Sequence, residues 1–404
     1  MKKESKKLNL KFESSEFVKP SSGLSALDFR FRIGYDGKRA ANNLTGLGNY
    51  SRSLVEHLAL QFPDHQYFIY SPKIKESIRN LSLFAKKNIN LVLPRKGTSR
   101  LFWRSLGIKK QLLSDKIDLF HGLSHEIPIG LQKTKIKSIV TIHDLIFLIK
   151  PQYYKLVDRR IYQLKSKYAC KNADQIIAIS EQTKRDIISQ YHIDPAKIEV
   201  IYQSCDDSFK TLLSSADQEK VRAKYQLPAK YILNLGTIEP RKNLLLLIKA
   251  LPKVDSTYPL VVIGKETAYA DLVKKEIESL GLQNRVHFLK NIPFTDLPAI
   301  YQMASIFVYP STYEGFGIPI IEALYSHVPV IAATGSCLEE AGGPNSIYVS
   351  PNNSEELTNA INKVLNNEEL QQTMKQKGIQ YVQRFNDDVV SQQLMNCYKK
   401  TLSV

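Results

Sequence analysis

Short apolar runs alternate along the chain with longer stretches whose apolar residues recur at helical spacing. That alternation predicts strands and helices laid down in turn. Residues 31–35 (FRIGY) predict a strand and residues 50–60 a helix. Further strands are predicted at 66–70, 89–93, 119–120, 138–142 and 175–179. Ser180 follows the last of these, where its hydroxyl suits the N-cap of a helix opening at Glu181. A second series begins after residue 202. Residues 230–235 and 259–263 are apolar along their length, as parallel strands covered on both faces should be, and 286–289, 306–309 and 329–332 continue the pattern. A helix at 271–280 is ended by Gly281.

Two successive series of this kind predict an α/β protein of two doubly wound, Rossmann-like domains, with ligands bound beyond the carboxyl ends of the strands. The division falls near residues 203–215, giving domains at 29–205 and 206–404, and the last helix (388–403) can pack on either. Residues 1–28 are polar and lack sustained periodicity, so they read as a mobile basic extension.

Length and charge narrow the picture. A chain of 404 residues is too long for one ordinary core. No apolar run approaches the ~18 residues of a membrane span. Lys2, Lys3, Lys6 and Lys7 are not followed by an apolar segment, which argues against a secretory signal and for a cytoplasmic location, with the inner membrane face as an option. Cys170, Cys205, Cys337 and Cys397 are scattered and read as reduced thiols. The net charge of +17 favours an anionic partner. Without an RNA-binding aromatic motif or a zinc-finger pattern, nucleic acid is set aside, leaving phosphorylated small molecules and anionic membrane. Residues 101–113, with Trp103, Arg104, Lys109 and Lys110, combine apolar and basic positions. They read either as a lipid-facing surface, helped by the N-terminal lysines, or as core of the first domain.

The densest chemistry lies in Tyr309-Pro-Ser-Thr-Tyr-Glu314-Gly-Phe-Gly-Ile-Pro319-Ile-Ile-Glu322-Ala. A strand delivers the chain into a glycine loop, and Pro319 suits the first turn of the following helix. Gly315 and Gly317 allow close backbone approach, and the helix start at Phe316, Gly317 and Ile318 offers N–H groups to an anion. Glu314 and Glu322 can face one cleft, the first toward sugar hydroxyls and the second toward ribose hydroxyls.

Glu314 and Glu322 bracket seven residues. This E-x7-E spacing resembles that of the retaining GT-B glycosyltransferases of family 4, and the resemblance runs over about residues 30–400. Leu235-Gly-Thr-Ile-Glu-Pro-Arg-Lys-Asn243 is similar to that family's donor loop, and Thr141-Ile-His-Asp144 and Thr45-Gly-Leu-Gly-Asn-Tyr50 to its N-terminal motifs. The resemblance implies a GT-B fold and transfer of a hexose, best read as mannose, to a glycan or lipid-linked acceptor. The donor is GDP-mannose or a UDP-hexose. Arg241 and Lys242 would clamp the donor pyrophosphate, Gly46 and Gly48 would approach donor phosphate and acceptor, and His143 would contact the transferred sugar alongside Glu314. Asp144 is expected to organise its loop. No cofactor is expected, and no metal, because no D-x-D motif ends a strand. Thr237 stands where many relatives carry Arg, Tyr325-Ser-His327 where they carry small residues, and Lys290-Asn291 near the expected base loop, which leaves guanine and uracil both open. A nucleotide-sugar epimerase of the same fold, or a non-catalytic nucleotide-sugar-binding protein, is the alternative.

Overall fold

The computed structural model describes residues 30–43, 46–94 and 103–403. Among the described residues thirteen strands build two sheets, all of whose pairings are parallel. The first holds β1 (Arg32–Asp36), β2 (Gln66–Tyr70), β3 (Ile89–Val92), β4 (Leu119–Gly122), β5 (Lys137–Ile142), β6 (Gln175–Ala178) and β7 (Ile198–Val200), in the order β3-β2-β1-β4-β5-β6-β7. The second holds β8 (Ile232–Leu235), β9 (Leu260–Ile263), β10 (Val286–Leu289), β11 (Ile306–Tyr309), β12 (Val330–Ala333) and β13 (Ile347–Val349), in the order β10-β9-β8-β11-β12-β13. Both orders reverse beside their first strand, which opens a crevice at the carboxyl ends there. Two Rossmann-like sheets joined in this way are the GT-B architecture.

The central strands are apolar throughout because helices cover both faces: all four residues of β9 and of β12 are buried. Ser180 caps its helix as expected, its side chain accepting from the Thr183 N–H. β13 was not predicted, since Ile-Tyr-Val is too short a run to stand out between serines.

Both sheets belong to one compact unit. The last helix, Asp387–Leu402, returns to the first sheet. Its Val390, Leu394, Met395 and Tyr398 share a core with Ile33, Tyr35, Leu58 and Tyr67, and the Tyr398 hydroxyl meets His121 Nδ1 at 2.7 Å. Where the chain leaves and re-enters the first half, Lys210 pairs with Asp207 at 2.7 Å and with Asp387, and His57 Nδ1 lies 3.2 Å from Asp387.

The structure corrects one local expectation and decides between two readings of another. The first long helix opens at Gly46, so the glycines expected in a loop lie in its first turn. Trp103, Ile108 and Leu112 are buried together with Phe68 and Phe120, so this segment is core. Apolar side chains buried on that scale are not available to lipid. Residues 101 and 102 and the N-terminal lysines lie outside the described residues.

Candidate active site

β8 and β11 are neighbours in the second sheet, and the loops leaving their carboxyl ends meet. The first carries Arg241 and Lys242, the second Glu314. Glu314 Oε1 accepts from Lys242 Nζ at 2.5 Å, from Ser311 Oγ at 2.6 Å and from the Tyr309 hydroxyl at 3.1 Å. Its Oε2 pairs with Arg241 Nη1 at 2.7 Å. Burial by itself would push this carboxyl up, but Lys242 and Arg241 outweigh it and hold the group at about 2. Glu314 is therefore a carboxylate across the physiological range, with both oxygens engaged.

Glu322 lies one turn into the helix Ile318–Tyr325, and its environment is the opposite. The Tyr301 hydroxyl donates to its Oε2 at 3.0 Å, and no cation is paired with it among the described residues. Burial raises its carboxyl to about 7. It lines a cleft of about 350 Å³ with Gly46, Asn49 and Tyr50 from the first half and Leu235, Ile318 and Pro319 from the second. Gly46 and Ile318, which lie in separate sequence motifs, thus line the same cleft as Glu322. Gly317, at φ +131°, sets the backbone turn that opens this helix, a conformation side-chain-bearing residues rarely adopt. Gly48 faces inward, where a Cβ would lie 1.9 Å from the Asn43 carbonyl oxygen. Phe316 is also inward: its ring stacks on Tyr202 at 5.5 Å and meets Phe385 edge-on, leaving only backbone for a ligand.

His143 directly follows β5 and is buried. Its Nε2–H donates to the Leu123 carbonyl at 2.8 Å, which leaves Nδ1 to accept from the Gln203 amide at 3.2 Å. Burial first, then His125, lowers its pKa to about 4, so the ring is neutral. It packs edge-on against Tyr50 at 4.9 Å. With both nitrogens engaged, the ring braces the cleft wall. Asp144 accepts from the Ile146 N–H at 3.0 Å, organising its loop, and also faces a second cavity.

The glycine loop is docked on the first half. Ser180 Oγ donates to the Gly315 carbonyl at 2.7 Å and the Tyr313 hydroxyl donates to Asp186 at 2.6 Å. The Glu340 carboxylate accepts from the N–H groups of Glu181 and Gln182 at 2.6 and 2.9 Å, capping that helix from across the interface. A Cβ on Gly315 would come within 2.2 Å of the His143 carbonyl oxygen. Only glycine lets Glu314 sit this close to the first half.

Beside this contact the first half holds the second cavity, of about 210 Å³, with Arg39, His125, Glu126, Asp144, Tyr154 and Lys165 in its wall. A third, of about 510 Å³, lies at the carboxyl ends of β9 and β10 and includes Lys265, Glu266, Lys290 and Asn291.

Two family models match these halves. Residues 44–209 match "Glycosyltransferase Family 4" and residues 217–381 match "Glycosyl transferases group 1". The chain is a glycosyltransferase built from a family 4 domain and a group 1 domain. This glycosyltransferase is 29% identical over 372 residues to O-antigen chain mannosyltransferase B of Escherichia coli, covering 88% of this chain and 96% of the relative. It is 27% identical over 369 residues to O-antigen chain mannosyltransferase RfbU of Salmonella typhimurium, covering 89% and 97%. Among solved structures, Anabaena HepE in complex with UDP-glucose superimposes with a TM-score of 0.71 at 19% identity, over 92% of this chain and 100% of that one. The chain is thus an enzyme, a hexosyltransferase whose relatives serve polysaccharide synthesis.

Several residues of this glycosyltransferase's site were not found from sequence. Ser311 and Tyr309 flank Glu314 in the chain, so their contacts were open to inference. Tyr301, Arg39, His125, Tyr154 and Lys165 come from separate segments without a motif, and only the fold unites them.

Proposed function

We propose that this enzyme transfers mannose from GDP-mannose to a hydroxyl of a lipid-linked glycan with retention of anomeric configuration. The observation that carries the reading is the Glu314–Arg241–Lys242 cluster, set against Asp144 and the polar cavity of the first half. Two fixed cations beside a carboxylate suit a sugar diphosphate: the cations face the pyrophosphate and the carboxylate faces sugar hydroxyls. The choice of mannose draws on the two mannosyltransferase relatives, which align along nearly their whole length.

In this reading the C1–O bond to the β-phosphate breaks while the acceptor oxygen bonds to C1 on the same face. The acceptor proton passes to the leaving phosphate oxygen. Charge grows on the diphosphate as it leaves, and Arg241 and Lys242 stabilise it there, which in other transferases is the work of a divalent ion. Glu322 accepts from ribose hydroxyls, and Tyr301 orients it. His143 acts as a positioning residue through Tyr50 and the loop that meets Gly315. The 210 Å³ cavity receives the acceptor glycan on the cytoplasmic side of the membrane.

The test is transfer by the purified full chain from labelled GDP-mannose, UDP-glucose or UDP-galactose to a lipid-linked oligosaccharide, with the product's anomeric configuration read by NMR. GDP-mannose should be used at least tenfold faster than either UDP-sugar, giving an α-linked product. A preferred UDP-sugar would replace the donor assignment, and a β-linked product would exclude retention.

A further inference from the structure

The helix Leu156–Asn172 buries one side and leaves the other bare. Ser166, Ala169 and Cys170 face inward, the last two joining Ile142, Phe147 and Ala178 in a core. On the opposite face Leu156, Val157, Ile161 and Leu164 are 70%, 69%, 44% and 70% exposed. Their spacing at i, i+1, i+5 and i+8 sets them on one stripe of the helix surface. Arg160, Lys167 and Lys171 fall on the same stripe, and Lys155 precedes it. None of these four has an ion-pair partner among the described residues. The helix contains a single acid, Asp158.

We propose that this face docks the enzyme on an anionic lipid bilayer. Aliphatic side chains interleaved with long basic ones suit such an interface, the former entering the acyl boundary and the latter reaching lipid phosphates. Charge selects this occupant over a second copy of the chain. A twofold contact through the same stripe would bring two copies of Arg160, Lys167 and Lys171 onto one interface with no acid on the stripe to pair them, which repels. The net charge of +17 draws the whole molecule toward the same surface.

The placement also serves the proposed acceptor, and to that extent rests on the proposed function. Tyr162 and Lys165 of this helix line the 210 Å³ cavity together with Asp144 and Glu126, and Lys165 pairs with Glu126 at 3.2 Å. The helix therefore has one side toward the bilayer and another toward the cavity. A glycan on a lipid carrier would enter without leaving the membrane surface.

The full chain is tested by co-sedimentation with vesicles of phosphatidylglycerol and phosphatidylcholine, and with pure phosphatidylcholine, at low and high salt. Binding should require the anionic lipid and weaken as salt shortens the Debye length. Leu156→Ser/Leu164→Ser and Arg160→Glu/Lys167→Glu should each reduce it at least tenfold. These positions are exposed, so unchanged thermal melting and unchanged transfer to a water-soluble acceptor glycan are expected and separate docking from catalysis. Wild-type binding retained by both variants would assign attachment elsewhere, such as the N-terminal lysines, and overturn the proposal. Equal binding to both vesicle types, or none to anionic vesicles at low salt, would do the same. So would a concentration-dependent dimer in sedimentation velocity that the leucine variant abolishes.

Discussion

Glu314 and Glu322 leave the same strand–loop–helix unit, and each is only 9% exposed, yet one is held at about 2 and the other at about 7. Burial acts on both in the same direction, disfavouring the charged form. The difference is what lies within reach of each carboxyl group. The β8 loop brings Arg241 and Lys242 to Glu314, whereas Glu322 meets a tyrosine hydroxyl. In such a site the charge on a carboxyl group follows the fixed cations brought to it, more than depth. Glu314 is consequently tied to the fate of the two cations, while Glu322 can gain or lose a proton near neutral pH.

The most forceful way to break this contrast is to remove the cations. Arg241→Ala/Lys242→Ala leaves Glu314 as a buried, unpaired charge, a change worth about 3–5 kcal/mol of stability. Turnover should also fall at least about a hundredfold, through loss of leaving-group stabilisation. Adding Glu314→Gln should recover most of the stability and none of the turnover, as read by denaturant melts and transfer rates. An active double variant would mean that the diphosphate is held elsewhere.

Glu322→Gln addresses the other side of the comparison and should separate binding from stability. Losing a charge-assisted hydrogen bond of ~1.5–3 kcal/mol should weaken donor binding about tenfold or more in calorimetry. The ligand-free protein should nevertheless become more stable at pH 8. A carboxyl raised to about 7 from an unfolded value near ~4.5 carries a penalty that begins above ~4.5 and is complete above about 7. Removing the charge therefore stabilises by up to roughly 3 kcal/mol at pH 8, and the gain should vanish as pH falls toward ~4.5. A stability gain independent of pH would contradict the assignment.

Gly315→Ala should have a smaller effect. Its Cβ would meet the His143 carbonyl oxygen at 2.2 Å and push the loop from the first half. Roughly tenfold slower turnover is expected, below the ~100-fold that an ångström of misplacement can bring. Donor affinity should change less than turnover, because Glu322, Arg241 and Lys242 all stay on the second half. The smallest effect is expected from a chelator: transfer should continue, and activity restored only by a divalent ion would remove the charge-stabilising role from Arg241 and Lys242.

How much of this was legible in the sequence follows from how local each feature is. Strands such as β2 and β11 were readable to the residue because burial on both faces leaves a nearly continuous apolar run. The Glu314–Glu322 spacing was readable because one loop and one helical turn carry it. Gly46 and Gly48 were misread as a loop, since the second is required by a packing contact with Asn43 that no spacing reveals. Trp103 was open to both a lipid and a core reading, with core slightly favoured, and the neighbouring strands decide for core. The helix Leu156–Asn172 escaped notice because its apolar stripe points outward, the reverse of what hydrophobic periodicity ordinarily signals. Pairing of Glu314 with both cations was hidden, because residues more than seventy positions apart meet only through the β8–β11 adjacency.

The central claim, that Glu314 and Glu322 do different work because only one is free to change charge near neutrality, is tested most directly by the pH dependence of donor affinity. GDP-mannose and UDP-glucose are suitable probes, since a sugar diphosphate has no phosphate group titrating between pH 6 and 8. Calorimetry on the wild type should show the preferred donor binding more tightly as pH rises through about 7, where Glu322 becomes a carboxylate. Glu322→Gln should show weaker and nearly flat binding over the same range. The same pH profile in both proteins would contradict the account.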